Sequence, residues 1–99
     1  MSSQLIEISG QSTISPTPSH IASKLADEAV ILNLDSGIYY GLNEVGAYIW
    51  DLIAQRPHRF DQLRSCLLET YDVSPQDCEQ DLTAVLLELR AAGLIEVSK

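Results

Sequence analysis

The side chains that could act chemically in this 99-residue chain are few: Cys66 and Cys78, His20 and His58, and the acids Asp77 and Asp81. Asp77 and Asp81 stand one helical turn apart, a spacing that paired carboxylates use to divide acid and base roles. They lie, however, in a stretch already rich in acids, where a solvated helix face is the plainer account. Cys66 and Cys78 show no CxxC or Cys/His spacing, so neither a disulfide framework nor a zinc site is expected, and they read as buried or half-buried thiols. His20 and His58 have no partner at metal spacing. No Ser/His/Asp set, HExxH motif or Gly-rich phosphate loop can be assembled. The sequence therefore predicts no enzyme, no metal and no cofactor, and a chain that works by binding.

Composition narrows what it could bind. Fourteen acidic residues against six basic ones give a formal charge of −8, which repels phosphate backbones and anionic lipid heads, so no nucleic-acid and no membrane role is expected. Acids such as Glu69, Asp72, Glu79 and Glu88 are dispersed and read as a solvated face. The N-terminus MSSQLIEISG lacks the basic start and long apolar run of a secretory signal, so the expected location is the cytoplasm. The length suits one modest core.

The elements that must position any site follow from local signals. Residues 1–18, rich in Ser, Thr, Gln and Pro, read as a flexible N-terminal tail in which only residues 5–8 suggest a strand. The domain proper is expected over residues 19–99. Three strands are predicted at 21–25, 29–34 and 38–42, the last two joined by Asp35-Ser36-Gly37, whose glycine suits the positive φ of a tight hairpin. At Asn43, a plausible N-cap, the period becomes helical, with Val45, Tyr48, Ile49, Leu52 and Ile53 on one stripe and Trp50 off its centre, packed sideways against another helix. Pro57 ends that helix, and a second is expected near 60–70 with Phe60, Leu63 and Leu67 inward. The third begins at Ser74-Pro75-Gln76-Asp77, buries Leu82, Val85, Leu86 and Leu89, and stops at Gly93. Residues 94–97 could add a last short strand. The fold class is α+β: a winged helix-turn-helix-like domain with a three-stranded antiparallel sheet followed by three helices.

A helix-turn-helix arrangement suggests DNA, but the third helix carries Asp77, Glu79, Asp81 and Glu88 with Arg90 as its only base, the wrong charge for a recognition helix. The outer strands are more telling. Proteins usually blunt sheet edges with proline or charge. The first strand has Pro18 before it and Lys24 within it, whereas Ile38-Tyr39-Tyr40-Gly41-Leu42 has neither. Such an edge is either covered by the chain's own tail or kept open for an incoming strand, or pairs with a second copy as a weak dimer of an otherwise monomeric protein. Backbone pairing alone cannot hold a peptide: each hydrogen bond nets roughly 0.5–1.5 kcal/mol against about 1–2 kcal/mol per ordered residue. Apolar anchors worth about 1.5–3 kcal/mol each must enter a groove. The expected second wall is the third helix, through Asp77, Cys78, Asp81, Leu82 and Val85.

The stretch VILNLDSGIYYGLNEVGAYIWDLI, then DQLRSCLLETYDVS, then DLTAVLLELRAAGLIE, resembles the PqqD-like family over residues 20–97, with LNEVGAYIW its most specific part. Its members are leader-peptide recognition domains (RiPP recognition elements) for ribosomally made, post-translationally modified peptides. The resemblance implies a winged-helix-like fold that takes the leader of a precursor peptide as an extra strand between the third strand and third helix. It also implies that a separate enzyme processes the precursor. The LN-x-VG-x-x-IW pattern looks most like stand-alone recognition proteins of lasso-peptide clusters, whose partner is a cysteine-protease-like leader peptidase. The pyrroloquinoline-quinone branch, which delivers a peptide to a radical-SAM enzyme, is the alternative. An acidic winged-helix regulator is a reading of another class. One departure from the family pattern is Arg59, where a capping Thr or Ser is usual.

Overall fold

A computed structural model describes residues 8–25 and 28–98. In chain order the elements are β1 (Thr13–Pro16), β2 (His20–Leu25), β3 (Glu28–Asn33), β4 (Ile38–Leu42), α1 (Glu44–Gln55), β5 (His58–Arg59), α2 (Phe60–Thr70), α3 (Pro75–Ala91) and β6 (Ile95–Ser98). They form two three-stranded sheets, ordered β2-β3-β4 and β5-β1-β6, with every pairing antiparallel. The α+β, winged-helix-like architecture is the one expected.

Local signals account for the hairpin and for two of the helix starts. Gly37 takes φ 75° and closes the turn through its N–H to the Asn33 carbonyl at 2.7 Å. Asn33 Oδ1 accepts from the backbone N–H groups of Asp35 and Ser36, so this buried amide organises the turn from inside. Asn43 Oδ1 caps α1 by accepting from Gly46 N, and Ser74 Oγ caps α3 by accepting from Asp77 N, with Pro75 in the first turn. Gly93, with φ 75°, ends α3. A Cβ there would meet Asn33 Nδ2 at 2.9 Å, the same nitrogen that donates to Ala92 O, so hairpin and helix end are locked together.

Residues 13–16, expected within a loose tail, instead form the middle strand of the second sheet. β1 pairs with β6 along its length and with β5 at Thr13 and Ile14, and Ile14 is fully buried. Two features make this possible. The SPTPS run breaks structure only after Pro16, and residues 95–98 offer a strand that has no other partner. The chain ahead of β1 also caps α2: Phe60 N donates to Ser12 O and Asp61 N to Gly10 O, while Gln62 Oε1 accepts from Arg59 N. That supply from outside the helix is why Arg59 can stand where a capping hydroxyl was expected. The proposed strand over 5–8 falls mostly outside the described residues; Ile8 is not in a strand and packs partly on the core.

The stripe of α1 is displaced from the predicted one. Gly46, Ala47, Ile49, Trp50 and Ile53 are buried, while Val45, Tyr48 and Leu52 are only partly so. Trp50 is central rather than sideways against a helix, and the His20 ring meets its face edge-on at 5.1 Å. The cause is that α1 packs against β1 and β3 together, which turns its buried face toward the strands. In α2, Phe60, Leu63 and Leu67 are buried as predicted; in α3, Leu82, Leu86 and Leu89 are, joined by Cys78. No helix among the described residues is long and apolar enough to cross a membrane.

Candidate functional site

β2 and β4 are the outer strands of their sheet, and each pairs on one side only. Lys24 on β2 reaches Asp51 of α1 at 2.7 Å, so that edge carries a fixed charge. β4 carries none. Its Ile38 and Tyr39 are 62% and 69% exposed, Gly41 is exposed with open space where a Cβ would sit, and Leu42 is buried. Among the described residues the N-terminal chain goes to the other sheet, so it does not cover β4.

Successive residues of β4 point to opposite faces. Tyr40 and Leu42, opposite Ile31 and Ala29, face the core side; Tyr39 and Gly41, opposite Leu32 and Val30, face away. The Tyr40 hydroxyl donates to Glu88 Oε1 and so ties β4 to the last third of α3. Burial, then the hydrogen bond and the charge of Glu88, push the Tyr40 phenol up to about 12. The end of α3 is fixed beside β3 by Asn33. α3 therefore runs back along the sheet, with Glu88 near Tyr40 and its first turns near Val45, just beyond β4.

There an apolar cavity of about 100 Å³ is lined by Val45, Leu67, Tyr71, Val73, Cys78 and Asp81. Tyr71 is steadied by Tyr48, whose ring meets it edge-on at 5.7 Å and whose hydroxyl bonds Thr70 Oγ1 at 2.9 Å. The expected helix wall divides in two. Leu82 is fully buried and Cys78 is 2% exposed, so Leu82 belongs to the core and Cys78 only floors the cavity; Asp77 and Asp81 are exposed and Val85 half-buried. Burial pushes the Cys78 thiol up, with Asp81 and Glu79 acting the same way against the opposing charge of Arg64. A buried, protonated thiol is a poor nucleophile.

Sequence reasoning missed four of the cavity residues: Val45, Leu67, Tyr71 and Val73. A signal existed for one pair. Val73 precedes the cap Ser74 and Cys78 follows it by four, the positions of a hydrophobic staple, and both line the cavity. The Tyr40 to Glu88 tie has no local signature. Elsewhere, a wider and more open depression of about 400 Å³ lies beside Arg56, His58, Arg59, Asp61 and Cys66, at the two-residue outer strand β5 and away from β4. Arg59 is held there by Asp61 at 3.2 Å and His58 by the Arg56 carbonyl at 2.8 Å. Among the described residues no group of three or more His, Cys, Asp and Glu is placed to hold a metal ion.

Two solved structures share this architecture. One, described as TbiB1 in complex with the TbiA(beta) leader peptide, superposes with a TM-score of 0.77 at 29% identity, over 83% of this chain and 94% of that one. The other, a lasso peptide synthetase B1 complexed with the leader peptide, gives 0.73 at 24% identity, over 84% and 96%; at that identity it speaks for the fold alone. No curated protein matches the sequence. The family model for coenzyme PQQ synthesis protein D (PqqD) matches residues 28–95, a span from β3 to β6 that includes the β4 edge, α3 and the cavity, and the chain belongs to that family.

Proposed function

We propose that this chain is a non-catalytic recognition protein that binds the leader of a ribosomally made precursor as a fourth strand on β4. It then presents the precursor to a separate, cysteine-protease-like leader peptidase in the cytoplasm, in the maturation of a lasso peptide. The observation that carries the reading is the uncharged, half-paired β4 edge, tied to α3 through Tyr40 and Glu88, with an apolar cavity where β4 leads into α1. The edge supplies alignment through backbone hydrogen bonds, and the cavity supplies the anchor that those bonds need. Micromolar affinity requires about 8 kcal/mol. A single large apolar side chain in the cavity supplies about 1.5–3 kcal/mol of that, so a second apolar contact along the groove, beside the Tyr40 ring and Val85, is required. TbiB1, the 29%-identical neighbour, is itself in complex with a leader peptide, which supports the same use of this groove.

The family model is described by its role in coenzyme PQQ synthesis, and this favours a second reading, delivery of a peptide to a radical-SAM enzyme. Both readings share the groove and differ in the enzyme that receives the peptide. Titration with the labelled leader of the precursor encoded beside this chain tests what they share. Saturable binding is expected, and methylation of peptide backbone nitrogens should weaken it at alternate positions, as an added strand requires. Absence of saturable binding, or uniform sensitivity to methylation, overturns the reading.

A further inference from the structure

The two walls of the groove differ in charge, and the difference specifies the chemistry of the peptide. Asp77, Asp81, Val85 and Glu88 recur at helical spacing and so share one stripe of α3. It is the stripe turned toward β4, because Glu88 accepts from Tyr40 and Asp81 lines the cavity. None of the three carboxylates has an ion-pair partner among the described residues. The described bases lie elsewhere: Lys24 on Asp51, Arg59 on Asp61 with Arg56 lining the same depression, and Arg64 against Glu79 on the opposite flank of α3, an ion pair without hydrogen-bond alignment. Arg90 follows Glu88 by two residues and so projects from nearly the opposite side of the helix. Asp77 gains from the helix N-terminus, whereas Asp81 lies past the first turn and repels Asp77 across it. Facing them, Ile38–Leu42 bears no charge.

We propose that the segment bound here is cationic as well as apolar: an extended peptide with a large apolar residue in the cavity and a Lys or Arg two residues from it, directed at Asp77 and Asp81. This rests on the groove being a site for an added strand. The alternation of a strand supports it. Alternate side chains recur about every 6.6 Å on one face, and Asp81 lines the cavity itself with Asp77 one turn away along α3. A base two residues from the anchor therefore stays on the α3 side, whereas one adjacent to it points to the outer face of the sheet.

The test is a fluorescence titration of the leader encoded with this chain against the wild-type protein and the Asp77→Asn/Asp81→Asn double variant, at about 50 and about 500 mM salt. Exposed ion pairs are modest, so the double variant should bind about fivefold more weakly at low salt, with a shallower salt dependence. A leader with the base changed to Glu should bind Asp81→Lys better than wild type, an exchange that misfolding cannot mimic. The proposal is overturned if the leader has no Lys or Arg two residues from its anchor, or if the folded double variant binds within about twofold of wild type. No saturable binding to the wild-type protein is a different failure, that of the strand reading itself.

Discussion

β1 and β4 are both short strands without a charged residue, yet one lies in the middle of its sheet and the other at an edge. β1 pairs on both sides and buries Ile14 completely, whereas β4 pairs on one side and leaves Tyr39 69% exposed. An uncharged strand in the middle of a sheet needs no other explanation. At an edge, the same composition invites unwanted pairing, and proteins usually suppress it. On the proposed function, the contrast separates residues that hold the fold from residues that would take a peptide.

The largest effect should come from β1. Ile14→Ala removes a fully buried side chain from the strand that joins β5 to β6, and should cost about 2–5 kcal/mol. For a domain of this size that lowers the melting temperature by more than about 10 °C, measurable by circular dichroism. A loss under about 1 kcal/mol would show β1 to be dispensable and the contrast mistaken. On the other side, Val73→Asp puts a charge into the lining of the cavity. It should weaken leader binding at least about tenfold, as expected when an apolar anchor is lost, with a smaller change in melting temperature than Ile14→Ala. Equal leader affinity would move the anchor away from this cavity.

The helix starts beside the two strands give a smaller test. α1 follows β4 and relies on its own Asn43 side chain, so Asn43→Ala should cost about 1 kcal/mol in urea unfolding. α2 is capped by carbonyls of Ser12 and Gly10, just ahead of β1, so Arg59→Ala should stay within about 0.5 kcal/mol of wild type. A cost at Arg59 as large as that at Asn43 would mean that the backbone cap does little.

These helix starts also show what a sequence can and cannot disclose. The Asp35-Ser36-Gly37 turn, the Ser74-Pro75 start, the Gly93 stop and the inward face of α2 were all legible, because each is decided within a few residues. β1 was not. Four residues with a proline at the end look like loop until the distant β6 strand supplies their hydrogen bonds. Trp50 was misplaced because the centre of a helix's buried stripe depends on how many elements pack against it, and α1 meets strands of both sheets. The site was half legible in the same way. The open edge could be read from what Ile38–Leu42 lacks, but the cavity is assembled from α1, α2, the following loop and α3, and Leu82, which looked like groove, is core. Asp77 and Asp81 could be placed on the α3 wall from their spacing, whereas Glu88 read as one of the dispersed acids, and its bond from Tyr40 brings it to the same side.

The smallest expected effect concerns how β4 is held. β1 has no titratable side chain, whereas the Tyr40 phenol that ties β4 to Glu88 has its pKa raised from 10.0 to about 12. Below pH 10 the phenol is neutral in the folded and unfolded chains alike and contributes no pH dependence. Between 10 and about 12 the unfolded chain releases the proton and the folded chain keeps it, so stability should fall as pH rises through that window and level off above it. Partial exposure of the pair screens the effect and keeps it small. Urea unfolding across the window, compared with Tyr40→Phe, isolates it, because other alkaline titrations are common to both proteins. The variant should lose part of the slope while Ile14 and the second sheet are untouched. Identical slopes would mean that the tie between strand and helix does not persist in solution, leaving β4 joined to the rest of the molecule through β3 and α1 alone.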